Sequence, residues 1–557
     1  MARLPVPGSD NDTWGNVLND FLTQSHNADG TLKSSAITSS GANATSASTG
    51  LIQLAGDLAG TATSPTVPAL ASKANDSAVV HKSDFASKGA LLGGTGASIY
   101  ASLSVGSDTQ LLTADSTQTT GLKWINKPTS GVIYAVDYGA VFDGSTDDAA
   151  ALQSAITAAV SVNKPLILPP GTAIVGTPLS ISAPVKILGA GSAATTLKAK
   201  NGLNDFIIKF TGGSAGVGIV GTVLTDFELD GNLANQTAGG GILASGAVQC
   251  VFERLHFTSC YNWGLELGPI TGGAFGHHNR VFNCLFDNSG TSTGYGGGAW
   301  TTSSDENWFI ACDFENLGGA SAPTGTSPIM LYDLAGLQCI IGCNFVGGSN
   351  NCIAVRIQNC KETKVVGSTF DGTAGDSIFM VANSCTVTGN VFAGPGTVGS
   401  TPASGIHLEF NTHFNIVSGN SLVTSDTASK TRSLIREEST GGSGDNLLEG
   451  NSMSWGASGP TVALLETGGT NTIVRNNIGW KTENTGTATV LSGTTSIAVS
   501  HGLDTTPALA NLTVTPTNSL GSATRFWISG VTNTSFTINV DVNPGVTTAT
   551  FAWAVRM

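Results

Sequence analysis

Ten segments of this chain fall into the same eight columns. They read TVLTDFEL (222–229), CVFERLHF (250–257), NRVFNCLF (279–286), NWFIACDF (307–314), QCIIGCNF (338–345), TKVVGSTF (363–370), CTVTGNVF (385–392), NIVSGNSL (415–422), NLLEGNSM (446–453) and NTIVRNNI (471–478). The third column is always apolar, from Leu224 and Phe252 through Val417 and Leu448 to Ile473, and so is the eighth. Between them lies a small residue or Gly, followed by Cys, Ser or Asn. Successive anchors are 22 to 31 residues apart, as from Phe370 to Phe392 and from Phe314 to Phe345. A period of that size, with an apolar column that never lapses, is one coil of a parallel β-helix. Equivalent residues then stack about 4.8 Å apart, so each column becomes a ladder of like side chains.

The sixth column carries the polar part of the ladder. Asn390, Asn420, Asn451 and Asn476 occupy it, preceded by Ser368, Cys343, Cys312 and Cys284. Buried amides can hydrogen-bond their stacked neighbours, and Gly or Asn in the column before permits the bend between two strands. Ten coils make a stack of about 45–50 Å. A second strand per coil reads GLELG, PIMLYD, CIAVRI, SIFMVA and GIHLEF, each with two inward apolar residues around an outward one. The fold class expected is all-β: a right-handed parallel β-helix.

Composition agrees. Charged residues are 11% and Gly 72 of 557, while 40% of the chain is apolar, enough for a large core rich in turns. A net charge of -14 without any basic run argues against nucleic acid and anionic membranes as partners. MARLPVPGSDNDTWGNVLNDF has no apolar core of a signal peptide, and no stretch approaches a membrane span, so neither export by such a signal nor membrane insertion is expected. The nine cysteines lie between Cys250 and Cys385 without CxxC spacing, which suits buried thiols better than disulfides or a zinc site. No cofactor and no metal are expected.

Four segments are expected. Residues 1–35 hold an amphipathic stretch with Trp14, Val17, Leu18 and Phe21 at helical spacing, for which Asp12 or Thr13 is a candidate cap. Residues 36–128 are Ser, Thr, Ala and Gly with thin apolar pulses, suited to a spacer or to a shaft whose chains bury apolar positions against one another. Residues 129–484 form the β-helix. Residues 485–557 alternate every second residue between turn signals and read as a small antiparallel, sandwich-like β domain.

Two stretches resemble known proteins. LPVPGSDNDTWGNVLNDFLTQSHNADGTL and LLGGTGAS…LSVGSDTQLLTADSTQTTGLKW are similar to minor tail and tail-fibre proteins of bacteriophages and prophages, over roughly the first quarter of the chain. YGAVFDGSTDD, AALQSAI and KPLILPPGTAIVGTPLSISAPVKILGAGSAATTLKA, within about residues 132–200, resemble the first segment of the pectate-lyase-like β-helix superfamily, tail-spike depolymerases included. The resemblance implies a phage tail spike or minor tail protein of the virion, attached by its N-terminus to tail or baseplate proteins, homotrimeric, and directed at a bacterial surface polysaccharide. It leaves open hydrolysis, elimination, and binding without chemistry; a secreted bacterial pectin-type enzyme is a further alternative.

Asp137, Asp143, Asp147 and Asp148 crowd one short stretch of a chain poor in charge. They read as structural. Asp143-Gly144 is a turn, Ser145 or Thr146 an N-cap, and Asp147 and Asp148 first-turn anions of a helix with Leu152, Ala155, Ile156 and Ala159 on its apolar face. Such a helix would cover the open end of the first coil.

Chemistry is expected on outward residues of stacked coils. The position after the eighth column holds Asp230, Asp287, Glu315 and Asp371. Asp287 and Glu315 fall on consecutive coils, near the about 5–5.5 Å of a retaining glycosidase, and Glu315 and Asp371 two coils apart, near the inverting range. These three are the candidate catalytic residues; solvated carboxylates that discourage edge association are the alternative reading. Candidate substrate-binding residues are Tyr295, Trp300 and Asp305 on a Gly-rich insertion with Glu306 nearby, and Tyr332, Asp333, Arg356, His407 and Glu409, with Asp376, on the other strand. Trp300 and Tyr295 suit sugar stacking or plain packing. His407 and Glu409 share a strand face and, with Arg356, suit an acid–base site or a polar subunit seam. His277 and His278 are adjacent on an extended chain and are expected to point apart, and His501 stands alone.

Overall fold

In this computed structural model the described residues are 9, 12–33, 59–61, 64–66, 80–126 and 131–557, apart from 86, 97–98, 109, 213–217, 270–275, 291–295, 318–328, 333–335, 349–351, 397–401, 425–430, 439–440 and 456–462. The chain divides into two compact units, residues 1–129 and 130–557.

In the first unit the helix Trp14–Ser25 buries none of its side chains, leaving Trp14, Leu18, Phe21 and Leu22 exposed. Antiparallel hairpins follow at Leu91–Gly96 with Ile99–Leu103 and at Gln110–Ala114 with Leu122–Asn126. Trp124 donates its indole N–H to the Ser104 carbonyl and closes over Gly106, where any side chain would collide with the ring. No described helix is long and apolar enough to cross a membrane.

The second unit is a right-handed, pectate-lyase-like parallel β-helix followed by a β-sandwich. Three parallel sheets of thirteen, twelve and eleven strands run its length. The first carries the third column and the second carries the eighth; the third is built from the GLELG-type strands. The strand Gly276–His277 and three others make a short fourth sheet. The register places Phe257, Phe286, Phe314, Phe345, Phe370 and Phe392 in one file, with ring centroids 4.6–4.8 Å apart and planes within 7°. All six are fully buried, and this stacked file is the spine of the core.

The columns acquire a conformational meaning. The fifth-column residue is left-handed in every one of the ten coils: Asp226, Arg254, Asn283, Ala311, then Gly342, Gly367, Gly389, Gly419 and Gly450, and finally Asn476. One left-handed residue turns the chain from the first sheet into the second, which is why Gly recurs there. The residue before the first column is left-handed as well, among them His278, Glu306, Leu337 and Phe414.

This corrects the last coil. Leu448 pairs with Val474 and Gly450 aligns with Asn476, so the anchor is Val474, not Ile473, and the ladder residue is Asn477, not Asn476. Ile473 and Ile478 are 52% and 69% exposed. The apolar alignment was slipped by one residue because Asn477 follows another Asn, and only strand pairing decides between them.

The amide ladder runs Asn390–Asn420–Asn451–Asn477. Each amide nitrogen donates to the next side-chain oxygen at 2.9–3.0 Å in the first three, and to a strand carbonyl. Above it the Cys284, Cys312 and Cys343 thiols donate to carbonyls of the preceding coil at 3.4 Å. The first column forms shorter ladders of its own, Asn279–Asn307 and Asn415–Asn446. All nine cysteines are free; eight are buried and Cys339 is half-buried. Burial pushes the Cys260 and Cys352 thiols up to about 12 and Cys385 to about 11, away from thiolate chemistry.

The N-terminal helix of this unit is Ala149–Val162, burying Leu152, Ala155, Ile156 and Ala159 against the first strands. Its cap differs from expectation. Ser145, Thr146 and Asp147 belong to the strand Asp143–Asp147, and the capping position is Asp148. The buried Asp148 carboxylate faces back, accepting the Val141 and Phe142 N–H groups at 2.8 and 3.0 Å. Asp143 accepts the Ser145 and Thr146 N–H groups, and Asp147 accepts those of Ala149 and Gly176 and pairs with Lys200. All three are backbone fasteners.

The sandwich pairs Glu483–Val490, Ala549–Arg556 and Leu512–Pro516 in one antiparallel sheet. Ser496–Ser500, Ser535–Val540 and Phe526–Ser529 form the other, and the core includes Phe536, Ile538, Phe551 and Trp553. His501 is fully buried there; it accepts from the Leu503 N–H and faces the Thr532 carbonyl, a satisfied core histidine.

Candidate functional site

Strands of the third sheet alternate inward and outward residues, and the parallel register stacks the outward ones into a file. Glu266, Trp300, Arg356, Phe379, His407, Arg436 and Glu466 succeed one another along the sheet, with the strand Ile329–Tyr332 lying between those of Trp300 and Arg356. At the His407 end this file becomes a compact acid–base cluster. His407 is outward by strand phase yet only 4% exposed, because carboxylates from three coils close around it. Its Nδ1 lies 2.7 Å from Asp376 Oδ2. Its Nε2 lies 3.3 Å from Glu409 and 3.4 Å from Glu438, on the hydrogen-bond line of neither. The Phe379 ring meets the imidazole edge-on at 5.1 Å, and the Arg356 guanidinium sits over that ring, 5.1 Å from its centroid, while donating to Gln358.

Arg436 contacts Glu438 and approaches Glu466 at 3.7 Å; Arg432 reaches the same Glu466 oxygen at 3.3 Å. Burial, with Arg432 alongside, holds the Arg436 guanidinium below its ordinary range. The cluster thus offers a deeply buried imidazole, oriented by Asp376, behind two partly exposed carboxylates. One donor atom each from His407, Glu409 and Glu438 lie within 4.8 Å of one another, a set able to hold a divalent cation as well as to move protons.

A second cluster lies on the outward face of the second sheet. Asp287 and Glu315 are register partners, and Val346 separates Glu315 from Asp371. Asp287 is tied up: His256 bridges it at 3.2 Å to Glu228 at 2.8 Å. These two carboxylates raise His256 to about 9, so the imidazole is cationic at neutral pH. Burial acts against the Asp287 charge, but the His256 and Thr258 contacts prevail and lower its carboxyl. Lys198 pairs with Asp230 at 2.6 Å, and both line a groove of ≈ 650 Å³ with Lys200, Asn201, Glu228 and Asn232.

The other predicted residues scatter. Trp300 is half-buried in the outward file beside Glu266, its ring 5.7 Å from that of Trp263 and its indole N–H buried without a partner. Asp305 is exposed and aligns with His277. Tyr295 and Asp333 lie outside the described residues; Tyr332 ends the strand Ile329–Tyr332, and its side chain is outside them too.

Sequence reasoning missed Glu438, Arg436, Glu228, His256 and Glu266. The signals were there: LIRE continues the GIHLEF pattern, and His256 and Glu228 share the seventh column. Glu266, the outward residue of GLELG, is raised by burial to about 7.

Residues 132–266 match the family described as rhamnogalacturonase A/epimerase, pectate lyase-like. The β-helix is pectate-lyase-like. Residues 42–119 match a repeat of unknown function, DUF5907. No curated protein matches the sequence. Solved structures similar to this pectate-lyase-like chain include the A-module of mannuronan C-5 epimerase AlgE4 from Azotobacter vinelandii, at 16% identity and a TM-score of 0.46, covering 61% of this chain and 99% of that one. The tailspike protein gp49 of Pseudomonas phage LKA1 is similar at 13% identity and a TM-score of 0.45, covering 76% and 99%. ORF18 of Geobacillus virus E2 is similar at 14% and 0.44, covering 78% and 83%.

Proposed function

We propose that this chain recognises a bacterial surface polysaccharide and hydrolyses it at the His407 cluster. The carrying observation is the pair Glu409 and Glu438, brought within 4.8 Å of each other and of a buried His407 nitrogen. That separation is close to the about 5–5.5 Å at which one carboxylate attacks the anomeric carbon while the other protonates the leaving oxygen, with retained configuration. His407, held by Asp376, sits behind both and stores or relays the proton; Arg436 steadies the carboxylate left ionised. The pectate-lyase-like match over 132–266 supports a carbohydrate as substrate class.

The test is incubation of the full chain with host surface polysaccharide, following new reducing ends and the ultraviolet absorbance of unsaturated uronides. Reducing ends without that absorbance, lost in Glu409→Gln and Glu438→Gln but kept in Asp287→Asn and Glu315→Gln, are the expected result. Binding with no cleavage would leave a receptor-binding protein on the same scaffold. Loss confined to the Asp287 and Glu315 variants would move the chemistry to the second sheet, where those two are register partners. The tail-like N-terminus supports a virion location, with tail or baseplate partners for residues 1–35 and a shaft over 36–128. Exposed Ile416 and Ile473 on the first sheet's outer side, with exposed Phe414 at the corner beside them, support self-association, with a homotrimer as the expected state in sedimentation.

A further inference from the structure

We propose a divalent-cation site at His277, His278 and Glu306, distinct from the His407 cluster. The expected divergence of His277 and His278 does not occur. His277 ends the strand Gly276–His277, and His278 is left-handed at φ 57°, which swings its ring back toward the same side. The two Nδ1 atoms lie 2.5 Å apart, with the rings edge-on at 4.8 Å. Glu306 is the left-handed corner residue of the next coil, φ 51°, and so stands directly above His278. Its Oε2 is 2.5 Å from His278 Nε2, and one donor atom from each of the three residues falls within 4.8 Å of the others.

Two imidazole nitrogens this close cannot both carry protons: with one proton between them they form a hydrogen bond, and with none their facing lone pairs converge on one point where a cation can lie. Two imidazoles and one carboxylate suit a borderline ion of the Zn²⁺ class rather than Ca²⁺ or Mg²⁺, which prefer all-oxygen sets. His278 and Glu306 keep 51% and 33% of their side chains exposed, so the ion has an entry path and a free position for water or a ligand oxygen. The corner geometry is what assembles the site: neither histidine could reach the other from ordinary extended backbone.

The experiment titrates tag-free full-length chain, stripped with chelator, with ZnCl₂ by calorimetry and by metal analysis after gel filtration. Wild type is expected to hold one more equivalent than His278→Gly or Glu306→Gln. Glycine keeps the left-handed corner, and circular dichroism checks that both variants are folded. Glu409→Gln is expected to keep that equivalent, which separates this site from the His407 cluster. Equal zinc content in wild type and both variants, or none in wild type, would overturn the proposal and leave a simple hydrogen-bonded His–His–Glu chain.

Discussion

Replacing Asn420 by Ala tests whether the amide ladder holds the β-helix or merely fills it. Asn420 is 1% exposed. Its Nδ2 donates to the Val387 carbonyl and Asn451 Oδ1, both at 2.9 Å, and its Oδ1 accepts the Asn390 backbone and side-chain N–H groups, both at 3.0 Å. Alanine removes all four bonds. Asn390 Nδ2 still reaches the Val365 carbonyl, and Asn451 Oδ1 still accepts the Asn420 backbone N–H, but the buried Asn390 N–H loses its acceptor. An orphaned buried group costs about 1–3 kcal/mol, and with the Val387 carbonyl weakened and a small void left, the loss sums to about 3 kcal/mol. Serine should cost about half as much, because Ser368 in the same column accepts the Cys343 N–H at 3.2 Å. The assay is urea unfolding of the full chain by far-ultraviolet circular dichroism, comparing midpoints at matched slopes. Combining Asn390→Ala with Asn420→Ala should cost less than the two singles together, since each single already loses the Asn390 Nδ2–Asn420 Oδ1 bond and the double variant loses it only once. An Asn420→Ala variant within about 0.5 kcal/mol of wild type would mean that the ladder fills the core without holding it.

Three further outcomes are expected. Ala311→Gly, at the one fifth-column corner held by an alanine, should stabilise by about 0.5–1 kcal/mol in the same assay, since left-handed strain outweighs glycine's added chain entropy. His256, raised to about 9, contributes stability that is fully present below its unfolded value of about 6.5 and lost as pH rises through about 9. Melting temperatures of wild type should fall across that window, and those of His256→Gln should not. Glu266, an acid raised to about 7, costs stability as pH rises from about 4.5 to 7, so Glu266→Gln should be more stable than wild type above pH 7 and equal to it near pH 4.

What the sequence determined by itself was the coil. An apolar column repeated ten times admits few arrangements other than a parallel stack, because a one-residue slip would turn every anchor outward. The stacked apolar columns and the buried ladder cysteines followed from that periodicity, while the structural role of the crowded aspartates was read from the turn and helix signals beside them. Corners and the register between coils emerged only in three dimensions. The columns mark Glu438 and Arg436, and Glu228 and Asp287, as outward residues of neighbouring coils, but only the side-chain geometry shows them converging on His407 and His256. The left-handed corners decided the rest: they moved the last coil's anchor from Ile473 to Val474 and folded His278 back on His277. A dihedral sign leaves little trace in composition where the corner residue is Arg, Ala or His rather than Gly, and it is at such corners that side chains distant in sequence are brought together.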